Sequence, residues 1–509
     1  MERFLTRHAD RIEGIVTGFD RMLFRGTLRS ISYLQGFDRF LASQRVRYQD
    51  FGRYAAAISA RVRAHAETVA QQTGRPFEYL ASSAIAKEAR ARAIAARDGI
   101  TEGLVCIFGC VESCRTFSVR GDRATKRLRL VQETRKCNHL YFYWIDPAFG
   151  LIHVRLQTWL PLPLQVYVNG RAWLAQQLTT ARLPHEAEGN AVIPADYQAA
   201  TQLSEAFLRF RWEPWLTRYA RQVNPWLTGE AALFAGYYWS VRDSEFATDV
   251  IFHTDADLQA VYPRLLHHAI EHFQTGDILR FLGRERPGRF QGEARTTLVH
   301  RAEGHRIRHW LDENSLKMYD KAGRILRVEM TLNNPDRLKV LRRRPSDQHL
   351  DWLPLRRGIA DIRRRAELGR AAAARYLEAL SVVGEPTPSH RLLDPVSHWV
   401  TRDGRRYRAL RPISPDEAPL FASLLRGEFA LRGFENRDVR SHLYPRAADD
   451  PAARRQAAAR VTRLLRLLRA HRLIRKVTGS RYYRLTAKGH QVMTTALRFR
   501  ETEIALLAA

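Results

Sequence analysis

Apolar positions follow two rhythms along this chain. Between residues 104 and 168 they come in short runs rich in β-branched and aromatic side chains: 104–110, 115–120, 128–132, 139–145, 151–158 and 164–168, separated by turn formers. Runs of that length and composition predict strands, and their close spacing predicts an antiparallel meander. Asn169-Gly170 closes it, and a helix is expected over 171–181. Ahead of the meander, Gly-Ile-Val-Thr-Gly-Phe-Asp and Met-Leu-Phe-Arg-Gly-Thr-Leu within 14–30 suggest a β-hairpin, followed by helices, the last over 84–97. Residues 184–226 are polar and expected to be mostly helical. A second block, about 237–341, has a strand at 246–253, a helix at 256–273 and four more strands at 294–300, 306–311, 315–319 and 325–332. Residues 359–380 read as a strongly basic helix, and 384–415, rich in Pro, Ser and Gly, as the clearest linker.

The helical rhythm is sharpest near the C-terminus. Within 453–471, Val461, Leu464, Leu465 and Leu468 fall at i, i+3, i+4 and i+7, one apolar stripe to bury. Arg-Leu-Ile-Arg-Lys-Val follows, then Thr478-Gly479-Ser480, then Arg-Tyr-Tyr-Arg-Leu-Thr, then a helical run from Ala487. Two earlier helices are expected over 417–426 and 436–444. This order outlines a winged helix. The whole reads as an α+β multidomain chain with two antiparallel-sheet-containing domains, a helical connector and a C-terminal winged helix. The expected boundaries are 1–183 for an α+β domain with the meander, 184–235 for the connector and 236–345 for a second α+β domain. A basic helix (346–383), a linker (384–414) and a winged helix-turn-helix DNA-binding domain (415–509) complete the chain.

Charge turns this outline towards a partner. The 509 residues carry 83 Lys and Arg against 53 Asp and Glu, a formal charge of +30. No acidic residue lies between Asp450 and Glu501, a stretch with twelve arginines and two lysines. Such density is tolerable where a polyanion shares the site. On a helical wheel, Arg455, Gln456, Ala459, Arg460, Arg463 and Arg466 lie away from the apolar stripe. Arg and Gln can read guanine and adenine edges bidentately, and Ala459 permits close approach. Arg475, Lys476, Arg481 and Arg484 flank the hairpin tip, where phosphate contacts are expected. Duplex DNA is the expected partner, with RNA or single-stranded nucleic acid as the alternative. No apolar run approaches the length of a membrane span, so no membrane partner is expected. The N-terminal residues lack the apolar core of a signal peptide, and a cytoplasmic, nucleoid-associated location is the expectation.

Several residue groups are candidates for chemistry. Asn314-Ser-Leu-Lys-Met-Tyr-Asp-Lys321 and Arg324-Ile-Leu-Arg-Val-Glu329 read as a hairpin turning at Ala322-Gly323. Tyr319 could attack a phosphodiester, Lys321 stabilise the charge that develops, and Glu329 or Asp320 hold Mg²⁺ or Mn²⁺. The competing reading is a basic strand along a nucleic-acid backbone. Asp20, Glu102, Asp146, Asp243, Glu245 and Asp249 are further candidate metal carboxylates and equally ordinary turn and cap residues. His268-Ala-Ile-Glu271-His272 fits a zinc-peptidase spacing, although a peptidase makes little sense of the charge. Cys106, Cys110, Cys114 and Cys137 fall within 32 residues, and a structural zinc between strands competes with buried free thiols. Tyr141, Phe142, Tyr143, Trp144, Trp159 and Tyr167, accompanied by His153, Arg155 and Gln157, could stack bases or fill a core.

Two segments resemble known families. Leu-Leu-Arg-Leu-Leu-Arg-Ala-His-Arg-Leu-Ile-Arg-Lys-Val followed by Arg-Tyr-Tyr-Arg-Leu-Thr-Ala-Lys-Gly is similar to the winged helix-turn-helix of MarR-like regulators, a resemblance covering about 415–509. It implies duplex-DNA binding, and fusion to some 400 other residues departs from a stand-alone dimeric repressor. Residues 314–332 are similar to the Lys-x-Tyr-Asp-Lys and Leu-Arg-x-Glu strands of phage and plasmid rolling-circle replication initiators, which implies nicking through Tyr319. Those enzymes usually carry a His-hydrophobic-His metal motif, whereas here His305 and His309 bracket Arg-Ile-Arg. As a whole the chain is similar to large bacterial proteins that couple such a reader to a further body. That setting implies a role in a mobile element, replication or regulation. Two functions stay open: a DNA-binding protein, and a metal-dependent DNA-processing enzyme targeted by the winged helix.

Overall fold

The structure is a computed structural model and describes residues 1–122, 124, 126–230, 232–283, 294–301, 304–344, 349–383, 389–427, 429, 433–448 and 450–502. The fold mixes helix and strand, at 43 % and 32 %. It divides into two compact units, one of Val16–Phe246 with Arg356–Ala366, the other of Met1–Ile15, Ala247–Leu355 and Glu367–Ala509.

In the first unit, β1 (Ile12–Thr27), β2 (Phe77–Leu80), β3 (Gly103–Asp122), β4 (Arg127–Asp146), β5 (Gly150–Gln157) and β6 (Leu164–Asn169) lie in the order β1-β6-β5-β4-β3-β2. The β3-β4-β5-β6 meander is antiparallel, as its spacing implies. β2, however, pairs parallel to β3, so the sheet is mixed. Two sequence expectations are corrected here. Residues 14–30 hold one long strand rather than a hairpin. Gly26, inside that strand, sits where neighbouring rings crowd the backbone. A Cβ on Gly26 would lie 3.0 Å from the rings of Tyr237 and Trp239. The runs at 104–110 and 115–120 fuse into one 20-residue strand, as do 128–132 and 139–145. The polar residues between the first two runs stay extended because Glu112 is engaged from its own sheet face, accepting from Tyr141 and Arg155. The polar segment 184–226 is mostly helical, as expected, after an opening hairpin of β7 (His185–Glu188) and β8 (Ala191–Pro194). The helices Tyr197–Phe207 and Trp212–Val223 follow. They pack an aromatic core in which Phe149 contacts Trp173, Phe207, Phe210, Trp212 and Trp215.

β9 (Tyr238–Phe252) starts in the first unit and enters the second at Ala247; there, with β10 (Ala294–Arg301), β11 (Gly304–Leu311), β12 (Asn314–Lys321) and β13 (Ile325–Leu332), the order is β10-β11-β12-β13-β9. The four expected strands form a regular antiparallel ladder from β10 to β13. The β12–β13 turn places Ala322 and Gly323 at φ 52° and 76°, the left-handed pair of a tight hairpin. The helix Asp255–Glu271 starts at a capping box between Thr254 and Asp257. Its Leu258, Val261 and Leu265 share a core with Ile307, Met318 and Val328. β14 (Lys339–Arg343) and β15 (Leu350–Pro354) form a separate hairpin.

The expected basic helix is a 3₁₀ turn, Ile359–Asp361, followed by the helix Ile362–Leu380. It is not a solvated connector, because Leu368, Ala372, Tyr376, Leu377 and Leu380 join the second unit's core. Of the expected linker, residues 384–388 lie outside the described residues; the remainder is ordered structure. It holds the helix Ser389–Leu393 and a hairpin of β16 (Val400–Arg402) and β17 (Arg405–Tyr407). Leu393, Val396 and Leu410 are buried with the C-terminal helices, which is why a Pro- and Ser-rich stretch packs here. Beyond it come the helices Ala418–Leu424, Asn436–Leu443 and Pro451–Ala470, the hairpin of β18 (Ile474–Lys476) and β19 (Tyr483–Leu485), and the helix Ala487–Glu501.

Candidate nucleic-acid interface and internal polar clusters

The Pro451–Ala470 helix begins at Asp450, whose carboxylate accepts from the backbone N–H of Ala452 at 2.9 Å and of Ala453 at 3.1 Å. Pro451 at the first helical position needs no hydrogen bond there. Val461, Leu465 and Leu468 are buried as their spacing implies, Leu464 is half-buried, and Ala457 and Leu467 join the buried set. Asn436 ties the preceding helix to this one, donating to Thr462 Oγ1 at 2.9 Å and to the Ala458 carbonyl at 3.0 Å. Arg455, Gln456, Ala459, Arg460, Arg463 and Arg466 are all exposed. So are Arg475, Lys476, Arg481 and Arg484 on the hairpin.

In that hairpin Ile474 faces Leu485, Arg475 faces Arg484 and Lys476 faces Tyr483. Two arginines directly opposite on a two-stranded ribbon repel each other. The ribbon is held along one edge, where Phe434 and Tyr483 exchange backbone hydrogen bonds of 2.9 and 2.7 Å. At the tip, Gly479 adopts φ 69° and Ser480 Oγ donates to the Val477 carbonyl at 3.0 Å.

The β12–β13 hairpin sets Lys317 opposite Glu329 and Tyr319 opposite Arg327. Glu329 is buried, at 1 % exposure, and takes an ion pair from Lys317 and a 3.0 Å hydrogen bond from the Tyr319 hydroxyl. Tyr319 and Glu329 therefore meet, the carboxylate standing as an acceptor for the phenol proton. Lys321 sits half-buried at the strand end in register with Ile325, two residues further along the strand than Tyr319. Behind this hairpin, Arg327 clamps Asp249 through hydrogen bonds of 2.6 and 2.8 Å, both side chains fully buried.

Of the six carboxylates nominated from the sequence, several are consumed structurally. Asp146 is buried and accepts from Trp215 at 3.1 Å, Tyr219 at 2.6 Å and Arg218 at 3.2 Å. Asp249 belongs to Arg327, Asp243 lies 3.6 Å from Arg242, and Glu102 is exposed. Asp20 on β1 and Glu245 on β9, both in the first unit, come together, with carboxylate oxygens within 4.8 Å of each other. Asn190 donates to both Asp20 oxygens at 2.9 Å, and Arg21 reaches Glu245 at 3.1 Å. Two carboxylates at that distance repel, and a shared cation relieves the repulsion.

The four-cysteine set is not assembled. Cys114 and Cys137 form a disulfide between β3 and β4, while Cys106 and Cys110 are free and buried. Straight strands cannot bring Cys106, Cys110 and Cys114 to one point, because alternate positions march along the sheet. Burial pushes the Cys106 thiol up to about 12. The sequence sets His139 just after Cys137, and the structure adds it to the set, one of its ring nitrogens lying within 4.8 Å of both bonded sulfurs. The signal was there, since Cys137 and His139 are two apart on a strand and share a face. Burial and the nearby Arg155 guanidinium hold the His139 imidazole down to about 4. Tyr141, Phe142, Tyr143 and Trp144 are buried and serve as core. In the helix Asp255–Glu271, the Glu271 carboxylate is taken by His267 at 3.9 Å. His268 and His272, with rings 4.6 Å apart, form no metal cluster with it among the described residues.

Comparison with protein-family models, with curated proteins and with solved structures finds no match.

Proposed function

We propose that this chain binds duplex DNA through a C-terminal winged helix over residues 415–509, in which the helices Ala418–Leu424, Asn436–Leu443, Pro451–Ala470 and Ala487–Glu501 carry the β18–β19 hairpin. The exposed face of Pro451–Ala470 would enter the major groove, with Arg455, Gln456, Arg460, Arg463 and Arg466 towards base edges and phosphates. The hairpin, the wing, would lie on the backbone. The observation that carries the reading is the Arg475–Arg484 pair. Like charges held face to face on an exposed ribbon oppose its folding in isolation and favour it against a polyanion. Mobile-element, replication or regulatory roles share this interface and are separated by the sequence bound.

Fluorescence anisotropy with a library of labelled duplexes tests the assignment. Arg463→Ala should relax sequence preference, and Lys476→Ala should weaken all duplexes alike and lower the salt slope by about one. Unchanged duplex affinity in both variants would sink the docking scheme.

A second reading has one observation of its own. The Asp20–Glu245 pair is the kind of ligand set that holds Mg²⁺ or Mn²⁺ for phosphodiester cleavage, with the winged helix supplying targeting. It predicts metal-dependent nicking of supercoiled plasmid that Asp20→Asn or Glu245→Gln abolishes. Binding without cleavage across both metals would leave the protein a non-enzymatic binder.

A further inference from the structure

On the face shared by β3 and β4, Cys137 and His139 project side by side, and Cys114 reaches them from the neighbouring strand. The two sulfurs and a His139 ring nitrogen lie within 4.8 Å of one another. His139 has no exposed surface. Its Nδ1 donates to the Cys137 carbonyl at 3.1 Å, so in the neutral ring Nε2 keeps the lone pair. That Nε2 is buried and has no hydrogen-bond partner. A buried acceptor left without a donor is costly and calls for an explanation. Metal-binding histidines commonly anchor one ring nitrogen on a carbonyl and leave the other for an ion. Paired thiolates with an imidazole suit zinc, and a three-residue set leaves a coordination position open.

We propose that reduction of the Cys114–Cys137 disulfide turns this corner into a zinc site of two thiolates and the His139 imidazole, its fourth position open to water or an incoming ligand. A thiol reductant supplies the electrons. Two equivalents deliver two electrons and two protons to the S–S bond and leave as their own disulfide. The two cysteine thiols then lose their protons to solvent as the zinc–sulfur bonds form. Cys137 is half-buried and gives reductant and ion an approach, while His139 behind it is sealed. One cross-link between β3 and β4 is exchanged for another. Cys106 and Cys110 stay outside the set.

The test uses the full chain in two forms, oxidised and reduced with a phosphine, each titrated with zinc against a chromophoric chelator. One zinc per chain should bind the reduced form and none the oxidised form at the same chelator concentration. Cys137→Ser and His139→Ala should each weaken binding by about tenfold or more, with His139→Gln as the conservative variant should the alanine protein fail to fold. Cys106→Ala should bind as the parent does. Cobalt(II) in place of zinc should give thiolate-to-metal charge-transfer absorption that Cys137→Ser diminishes. A folded, reduced protein with both thiols titratable that takes up no zinc would overturn the proposal, as would binding indifferent to both His139 variants.

Discussion

His309 is fully buried on β11, with Nδ1 at 2.9 Å from the Thr296 hydroxyl and Nε2 at 3.0 Å from the Tyr376 hydroxyl. Burial pulls its pKa from 6.5 down to about 4. The folded imidazole thus stays neutral while the unfolded one takes a proton as pH falls through 6.5. Stability present above that value is lost between 6.5 and about 4, by up to about 3 kcal/mol for this group. Urea denaturation across that range should show the loss, and His309→Gln should flatten it. An unchanged slope in the variant would mean that His309 is charged or exposed in the folded state. At this scale the sequence was only partly legible. His309 stood out as a misplaced metal ligand, because nothing local shows that the aromatic Tyr376, 67 residues away, closes over it. Asp20 and Glu245 were named among six carboxylates, but only the strands that carry them bring the two together. His139 beside Cys137 was legible as a local pair, but not that Cys114 on another strand joins them.

Elements whose signal is local came through well. The Pro451–Ala470 helix has its cap, its proline and its apolar stripe in one stretch of sequence. Asp450→Ala should cost about 1 kcal/mol through loss of the cap, and Leu468→Ala about 2–5 kcal/mol through the cavity it leaves. Thermal or denaturant unfolding measures both. A cost near zero for Leu468→Ala would mean that the helix does not bury that face. The β12–β13 hairpin was legible too, since Ala322-Gly323 lies between two alternating runs and takes the left-handed turn. Elements whose polar residues are satisfied at a distance were not. The alternation over 14–30 mimics a hairpin although the strand runs on, with Tyr237 and Trp239 packed on Gly26, and Glu112 mimics a break until Tyr141 and Arg155 engage it. The Pro- and Ser-rich stretch after residue 388 reads as a linker until Leu393, Val396 and Leu410 find their core.

For the whole molecule, the proposed reading joins the charge of +30 to the exposed basic face of the C-terminal segment, where a polyanion would be held. Binding and cleavage separate cleanly by variant. Asp20→Asn should leave duplex affinity intact in either reading and abolish plasmid nicking only in the enzymatic one. Arg475→Ala with Arg484→Ala should weaken binding in both. The most direct measurement of the central claim is the salt dependence of duplex binding by the full chain and by this double variant. The account predicts that the log–log slope becomes shallower by about 1.8, two phosphate contacts, with affinity falling for every duplex alike. A double variant with the parental slope and affinity would contradict it, for the paired arginines would then hold no DNA.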